Sequence, residues 1–292
     1  MSPRPEAGSE GAPAPQANSG SENPSGATPG ASDAPVALVT GSSSGIGFAI
    51  AEELLLRGYR VALNGRDPEH LSEALSRLEP ELRKGAIAIV ADVSTPEGAR
   101  MAFEALSRKW PKLDLLVNNA GRIWVGEALE MTPEILHAVM ATTFEAALWC
   151  SREAAKMMST GQYGQPDAFQ PCGVIVNIGS IFARSAMAQR SAYVAAKHAL
   201  LGLTKTLALE WGPKGIRVVM VSPAYVETEK AKNAELSGKL DLSSPRSKTP
   251  LGRLATPREV ARVVALVASS DASFITGTNI EVDGGWMANG GW

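Results

Sequence analysis

Tyr193 and Lys197 lie four residues apart, which on a helix puts them one turn apart on the same face. Apolar repeats through Leu200, Leu203, Leu207 and Leu209 predict a long helix at this point. A phenol titrates near pH ~10 and is a poor acid–base catalyst at neutral pH. A neighbouring ammonium favours the phenolate and lowers that pKa, so the pair has the makings of a general acid. Ser180 follows the apolar run Val174 to Gly179, thirteen residues before Tyr193. Its hydroxyl can hold a ligand oxygen beside the tyrosine. A Tyr-x-x-x-Lys pair alone is common on surface helices, so its meaning depends on what precedes it.

What precedes it is a glycine turn, Thr40-Gly41-Ser42-Ser43-Ser44-Gly45-Ile46-Gly47, after the apolar run Val36 to Val39. Ile46, Ile50 and Leu54 then recur on one helical face. In that setting Gly41 permits a tight turn, Gly45 lets backbone approach a pyrophosphate, and Gly47 allows close helix–strand packing. The helix N-terminus adds free N–H groups and a positive dipole end. A glycine turn between a strand and an amphipathic helix is far more specific than one standing alone.

The elements that must position these residues alternate. Strand candidates are Val36 to Thr40, Tyr59 to Asn64, Ala86 to Ala91, Leu113 to Val117, Val174 to Ile178, Ile216 to Val221 and Asn279 to Val282. A polar helix is expected over about Pro68 to Lys84. Near-continuously apolar strands separated by helices predict an α/β fold: a doubly wound, mostly parallel seven-stranded sheet with helices on both faces. Right-handed crossovers favour that topology, and ligands then bind beyond the carboxyl ends of the strands.

Of the 292 residues, 45% are hydrophobic and 20% charged, with a net charge of −2. One large or two small globular domains fit this balance, and nothing in it favours nucleic acid or an anionic membrane as partner. Residues 1–34 are rich in Pro, Gly, Ser and Ala and read as a disordered tail, solvated or serving as a tether; residues 35–292 read as a single dinucleotide-binding catalytic domain. Cys150 and Cys172 read as buried thiols, with no metal site and a reducing, cytoplasmic setting expected. No run approaches the ~20 apolar residues of a membrane span, and no signal core or transit peptide is apparent.

Taken in order, the motifs resemble the short-chain dehydrogenase/reductase family, with 3-oxoacyl-acyl-carrier-protein reductases and sugar dehydrogenases as comparisons. The resemblance rests on Thr40 to Gly47, Asn118-Asn119-Ala120-Gly121, Ser180 with Tyr193 and Lys197, Ser222-Pro223 with Thr228, and Val282 to Gly285, and covers about residues 35–286. It implies an oxidoreductase interconverting a carbonyl and a secondary alcohol. Hydride moves through a nicotinamide, the proton through Tyr193, and Lys197 also meets the nicotinamide ribose.

The resemblance further assigns Gly41, Ser43, Ser44, Gly45, Ile46 and Gly47 to the cofactor. Asp92 and Val93 should meet the adenine, Asn118 the adenosine ribose, and Asn119, Ala120 and Gly121 the adjoining backbone. Pro223, Val226 and Thr228 should hold the carboxamide end. At the end of the second strand, Gly65 stands where an NAD-selective relative would carry an acid, and Arg66 follows. A guanidinium suits a 2′-phosphate, so NADP is expected over NAD. Two readings of Arg66 stand: phosphate ligand, or surface arginine paired with Asp67.

The sequence departs from the family twice. Thr143 stands where relatives carry a fourth catalytic residue, an asparagine that helps hold a water linking the lysine to solvent; a modified proton relay is expected. Ala224 replaces a usual glycine after the proline, which would strain a positive φ. Specificity should reside in Arg122 to Gly126, Ile181 to Arg190, and a mobile lid from Tyr225 to about Lys248. Trp124, Phe182, Met187 and Tyr225 offer apolar walls there, while Arg184 and Arg190 face either an anionic group or solvent. No account of the polar connection Ser159 to Cys172 follows from the sequence. Trp286 and Trp292 read as a tetramer contact, with core packing equally open for Trp286. The expected partners are a small carbonyl or alcohol and further copies of the chain, as homo-tetramer or homo-dimer, with no nucleic acid and no membrane. The alternative is a non-catalytic NADP-binding regulator that engages a partner through its tail.

Overall fold

The structure, a computed structural model, describes residues 34–158, 172–238 and 241–289. The expected N-terminal tail, the connection over 159–171 and Trp292 lie outside the described residues.

Seven strands form one sheet: β1 (Val36–Val39), β2 (Arg60–Gly65), β3 (Ala86–Val90), β4 (Leu115–Asn118), β5 (Gly173–Ile178), β6 (Ile216–Pro223) and β7 (Asn279–Val282). Their order is β3-β2-β1-β4-β5-β6-β7, and every pairing is parallel. The continuous apolar runs belong to strands covered on both faces: β1, β4, β5 and β6 are buried along their whole length. One face is covered by α1 (Gly45–Leu56), α2 (Pro68–Arg77) and α10 (Pro257–Ala268). The other carries α4 (Pro96–Lys109), α6 (Ala146–Met158) and α7 (Ser191–Trp211).

The expected helix over Pro68 to Lys84 is broken. Leu78 and Glu79 are extended before Pro80, and a short turn α3 (Pro80–Arg83) follows. Proline disfavours helical backbone at the residue before it, so the polar pattern overran a local stop. Likewise the segment expected as a lid contains α8 (Glu229–Leu236) and α9 (Ser243–Lys248). α5 (Pro133–Met140) runs into α6 through a π-helical turn, Ala141–Glu145, which contains Thr143. Cys150 is buried, whereas Cys172 is partly exposed.

The chain winds outward from β1 to β3, then crosses back to place β4 on the other side of β1. The connections leaving β1 and β4 therefore diverge, opening a crevice at the carboxyl ends of these strands. Thr40 to Gly47, Asn118 to Gly121, Ser180 and Ser222-Pro223 lie at the ends of β1, β4, β5 and β6, whereas Val282 to Gly285 ends β7 at the sheet edge.

Candidate functional site

The glycine turn after β1 needs its glycines for two distinct reasons. Gly41 and Gly45 have φ of +60° and +59°, which L side chains rarely adopt. Gly47 has no such φ, but a Cβ there would sit 2.4 Å from Asn119 Nδ2 and 2.5 Å from the Gly41 carbonyl. Asn119 is pinned in that position, donating from Nδ2 to the carbonyls of Thr40 and Gly41 at 2.9 Å each. Thr40 answers with Oγ1, which accepts from the backbone N–H groups of Asn119 and Ala120 at 3.0 Å. Thr40, which sequence reasoning left without a role, thus ties the β1 turn to the β4 turn; only its place at the head of the glycine motif hinted at this.

α1 begins without a side-chain cap. Ser44 occupies the cap position but makes no capping hydrogen bond, and the first turn holds no acid. By contrast, Asp67, Thr95, Thr132, Thr228 and Thr256 all cap their helices. Uncapped N–H groups with no nearby carboxylate fit an anionic pyrophosphate. Thr228 stands opposite, its Cγ2 3.6 Å from where a Gly45 Cβ would be. The donor set therefore fits a dinucleotide laid across the switch point.

At one end of the crevice, a cleft of about 320 Å³ is lined by Gly41, Ser43, Arg66, Asp92, Val93 and Asn119 to Gly121, together with Asp67, His70 and Thr142, which the sequence reading did not place there. Arg66 does not pair with Asp67, whose carboxylate instead accepts from the backbone N–H groups of Glu69 and His70 at the start of α2. Its partner is Asp92, at 3.8 Å, with both side chains half-exposed. Burial pushes the Asp92 carboxyl up, but hydrogen bonds from Ser94 and the Arg66 charge outweigh it and hold the group below its ordinary value. Gly65 is not strained, and a Cβ there would make ordinary contact with Leu71 at 3.4 Å. Asn118 does not reach this cleft: its side chain is buried and donates to Ser151 and Asn177 inside the molecule. The second asparagine of the motif, Asn119, faces the crevice instead.

At the other end, a cleft of about 340 Å³ brings together Ser180, Tyr193 and Lys197 with Ile46, Pro223, Val226 and Thr228. Ser180 leaves β5 in extended conformation and its Oγ accepts from Phe182 N–H, holding the hydroxyl at the strand end. Lys197, fully enclosed in α7, donates from Nζ to the Ile178 carbonyl at 2.6 Å, and Nζ lies 5.5 Å from the Tyr193 ring centroid. Val226 is held by a parallel bridge to Ala255.

The electrostatics differ from expectation. Burial pushes the Tyr193 phenol up to about 12, only partly offset by a hydrogen bond with Ser180, and pulls the Lys197 ammonium down to about 8. The lowering expected of the Tyr193 phenol rests on the Lys197 ammonium together with an oxidised nicotinamide, whereas the protein's own contribution is burial. Spacing does not report that both groups leave water together, nor that Lys197 spends a hydrogen bond on Ile178.

Thr143 is buried and its hydroxyl is committed to one backbone unit, accepting from Arg122 N–H at 3.1 Å and donating to Arg122 carbonyl at 3.3 Å. A hydroxyl has one proton, so that proton is not free for a relay. The arrangement anchors the turn after Gly121 instead. Ala224 is unstrained: among the described residues only Gln189 combines a side chain with positive φ. Trp124 does not line the cleft; it packs in the same cluster as Val139, Ala192, Ala196 and Tyr193. Among the described residues there is no His/Cys/Asp/Glu group able to hold a metal, and no helix long and apolar enough to cross a membrane.

A family model described as enoyl-(acyl carrier protein) reductase matches residues 41–287. The chain belongs to the short-chain dehydrogenase/reductase family. It is 36% identical over 256 residues to 2,3-dihydroxy-2,3-dihydro-p-cumate dehydrogenase of Pseudomonas putida, spanning 86% of this chain and 93% of that one. It is 34% identical over 258 residues to an uncharacterized short-chain type dehydrogenase/reductase of Sinorhizobium fredii; there the match covers 87% of this chain but only 44% of the relative. Among solved structures it resembles NADP-bound ElxO with a TM-score of 0.80 at 30% identity, over 87% of this chain and 99% of that chain. Short-chain dehydrogenases/reductases use nicotinamide cofactors.

Proposed function

We propose that this chain is an NADP(H)-dependent oxidoreductase that interconverts a carbonyl and a secondary alcohol. The observation that carries the reading is the shared cleft in which Ser180, Tyr193 and Lys197 face Ile46, Val226 and Thr228 beside an uncapped, glycine-led helix. Gly41 to Gly47, Asn119 to Gly121, Val93, Pro223, Val226 and Thr228 would hold the dinucleotide. A bound nicotinamide supplies or accepts the hydride.

The chain's own groups handle the proton. Ser180 Oγ holds the substrate oxygen beside the phenol. Burial keeps the Tyr193 phenol protonated at neutral pH, so in the reduction direction it can donate to an oxygen gaining negative charge, and in oxidation its conjugate base takes the proton back. Lys197, charged below about 8, fixes the floor of the cleft through Ile178 and presents positive charge beneath the ring. Thr143 acts as a positioning residue for Gly121 and Arg122. Arg66, beside the side-chain-free Gly65, supports NADP over NAD, because a guanidinium binds a 2′-phosphate that an acid would repel. NADP bound to a structural relative supports the same choice. A cytoplasmic homo-dimer or homo-tetramer belongs to this reading on family resemblance.

The test is oxidation of NADPH and of NADH by the purified chain across a carbonyl panel. The reading expects turnover with NADPH preferred. Cofactor binding without oxidation across the panel would replace it with a binding-only protein.

A further inference from the structure

A larger bay of about 970 Å³ adjoins the catalytic cleft, with Phe182 and Tyr225 lining both. The bay's walls are apolar and partly stiffened. The Tyr225 and Trp286 rings pack at 5.2 Å, and Tyr225 Oη donates to Met187 Sδ at 3.7 Å. Met287 completes this surface. A bay of this size exceeds the needs of a three- or four-carbon carbonyl compound and suits a drug-sized body.

Its charges are unevenly committed. Arg184 is held by Glu281 at 2.9 Å, and the one carboxylate in the lining, Asp241, accepts from Ser243 N–H at 2.8 Å. Arg190 and Lys248 also line the bay, and neither has a carboxylate partner among the described residues. Among the described residues, Arg190 donates to the neighbouring Gln189 carbonyl. Gln189 has the unusual φ of 62° and is tied to Glu127 at 2.8 Å. The Gln189 backbone places Arg190 at the mouth of α7, with its guanidinium on the Gln189 carbonyl and, among the described residues, without a carboxylate partner.

We propose that the substrate is an apolar carbonyl compound, or the matching alcohol, with an anionic group at its far end. Its reacting carbon sits at Ser180 and Tyr193, its body lies along Tyr225, Trp286 and Met187, and its anion meets Arg190 and Lys248. This rests on the oxidoreductase reading above. Burial of the body against the ring pair contributes the hydrophobic part of binding, and the two uncommitted cations select the end group. Small polyols satisfy neither feature.

The test compares 4-(4-acetylphenyl)butanoate, its methyl ester and hydroxyacetone as substrates of the full chain with NADPH, reading kcat/KM, with calorimetric binding of the acid measured in parallel. The acid should exceed the ester by roughly tenfold, the usual scale of a charge-assisted bond, and hydroxyacetone should trail both. In Arg190→Met with Lys248→Met the acid's advantage over the ester should collapse toward parity. Equal use of acid and ester by the wild type, or an advantage that survives in the double variant, would overturn the proposed class and leave the oxidoreductase reading standing. Binding of the acid without turnover of any compound would support the bay and overturn that reading. Neither binding nor turnover would overturn both.

Discussion

Lys197 Nζ donates a 2.6 Å hydrogen bond to the carbonyl of Ile178, the last residue of β5, while lying beneath the ring of Tyr193. One buried cation thereby joins the strand that ends at Ser180 to the helix that carries the phenol. Because burial alone pulls this ammonium down to about 8, its charge is lost within an accessible pH range. Reduction should hold steady below that value and decline above it as Lys197 gives up its proton. In Lys197→Arg the guanidinium stays charged, so the inflection near 8 should vanish even where the absolute rate is lower. A pH profile of kcat/KM for both proteins checks this.

The same group bears on stability. Its folded pKa lies below the ordinary 10.5, so the folded state resists holding the charge. That penalty is complete below about 8 and is relieved as pH rises toward 10.5. At neutral pH it is worth about 3 kcal/mol before the Ile178 hydrogen bond offsets part of it. Lys197→Met should therefore abolish turnover while raising unfolding stability by about 1–3 kcal/mol at neutral pH. Chemical denaturation at pH 7 and pH 10 measures it, and the gain should shrink at the higher pH.

Arg66 and Asp92 meet across neighbouring strand ends, since Gly65 pairs with Val90 in the sheet register. Their half-exposed pair is weak and would compete with a 2′-phosphate for the guanidinium. Arg66→Gln should raise the KM for NADPH by roughly tenfold while changing that for NADH little. Asp92→Asn should lower the KM for NADPH by freeing Arg66. Steady-state kinetics with both cofactors decides the matter.

Gly47 is glycine for space. Its Cβ position falls 2.4 Å from Asn119 Nδ2 and 2.5 Å from the Gly41 carbonyl, both held by hydrogen bonds or turn geometry. Gly47→Val should destabilise the protein by about 1–3 kcal/mol and abolish dinucleotide binding. Melting temperature and cofactor titration report the two effects separately.

Thr143 holds Arg122 through both its N–H and its carbonyl. Thr143→Val, close in shape, removes both hydrogen bonds to the exposed Arg122 at about 1 kcal/mol; Thr143→Ser keeps the hydroxyl. The valine variant should lose kcat/KM without moving the pH profile, and serine should restore it. A shifted profile would return Thr143 to the proton path.

The sequence made the sheet legible because doubly covered strands such as Val174 to Ile178 leave long apolar runs, and because Gly41, Tyr193 and Lys197 are fixed by local geometry. Relations across the sheet were hidden. Asp67, adjacent in sequence, is one of two partners the sequence leaves open for Arg66, but it caps α2, and strand pairing delivers Asp92 instead. The Tyr193 and Lys197 pKa values depend on enclosure by β5 and α7, which no spacing states. α8 and α9 escaped notice because their Lys, Glu and Ser residues carry no apolar period, and the α2 break at Leu78 was masked by polar residues that suit helix or turn alike.

The most direct test compares NADPH oxidation by the wild type and by Tyr193→Phe with a carbonyl substrate that the wild type turns over, with NADPH binding measured on both. The account predicts that the variant still binds NADPH and loses turnover by roughly 10²–10⁴-fold, the span of a missing general acid. Turnover in Tyr193→Phe equal to that of the wild type would contradict it.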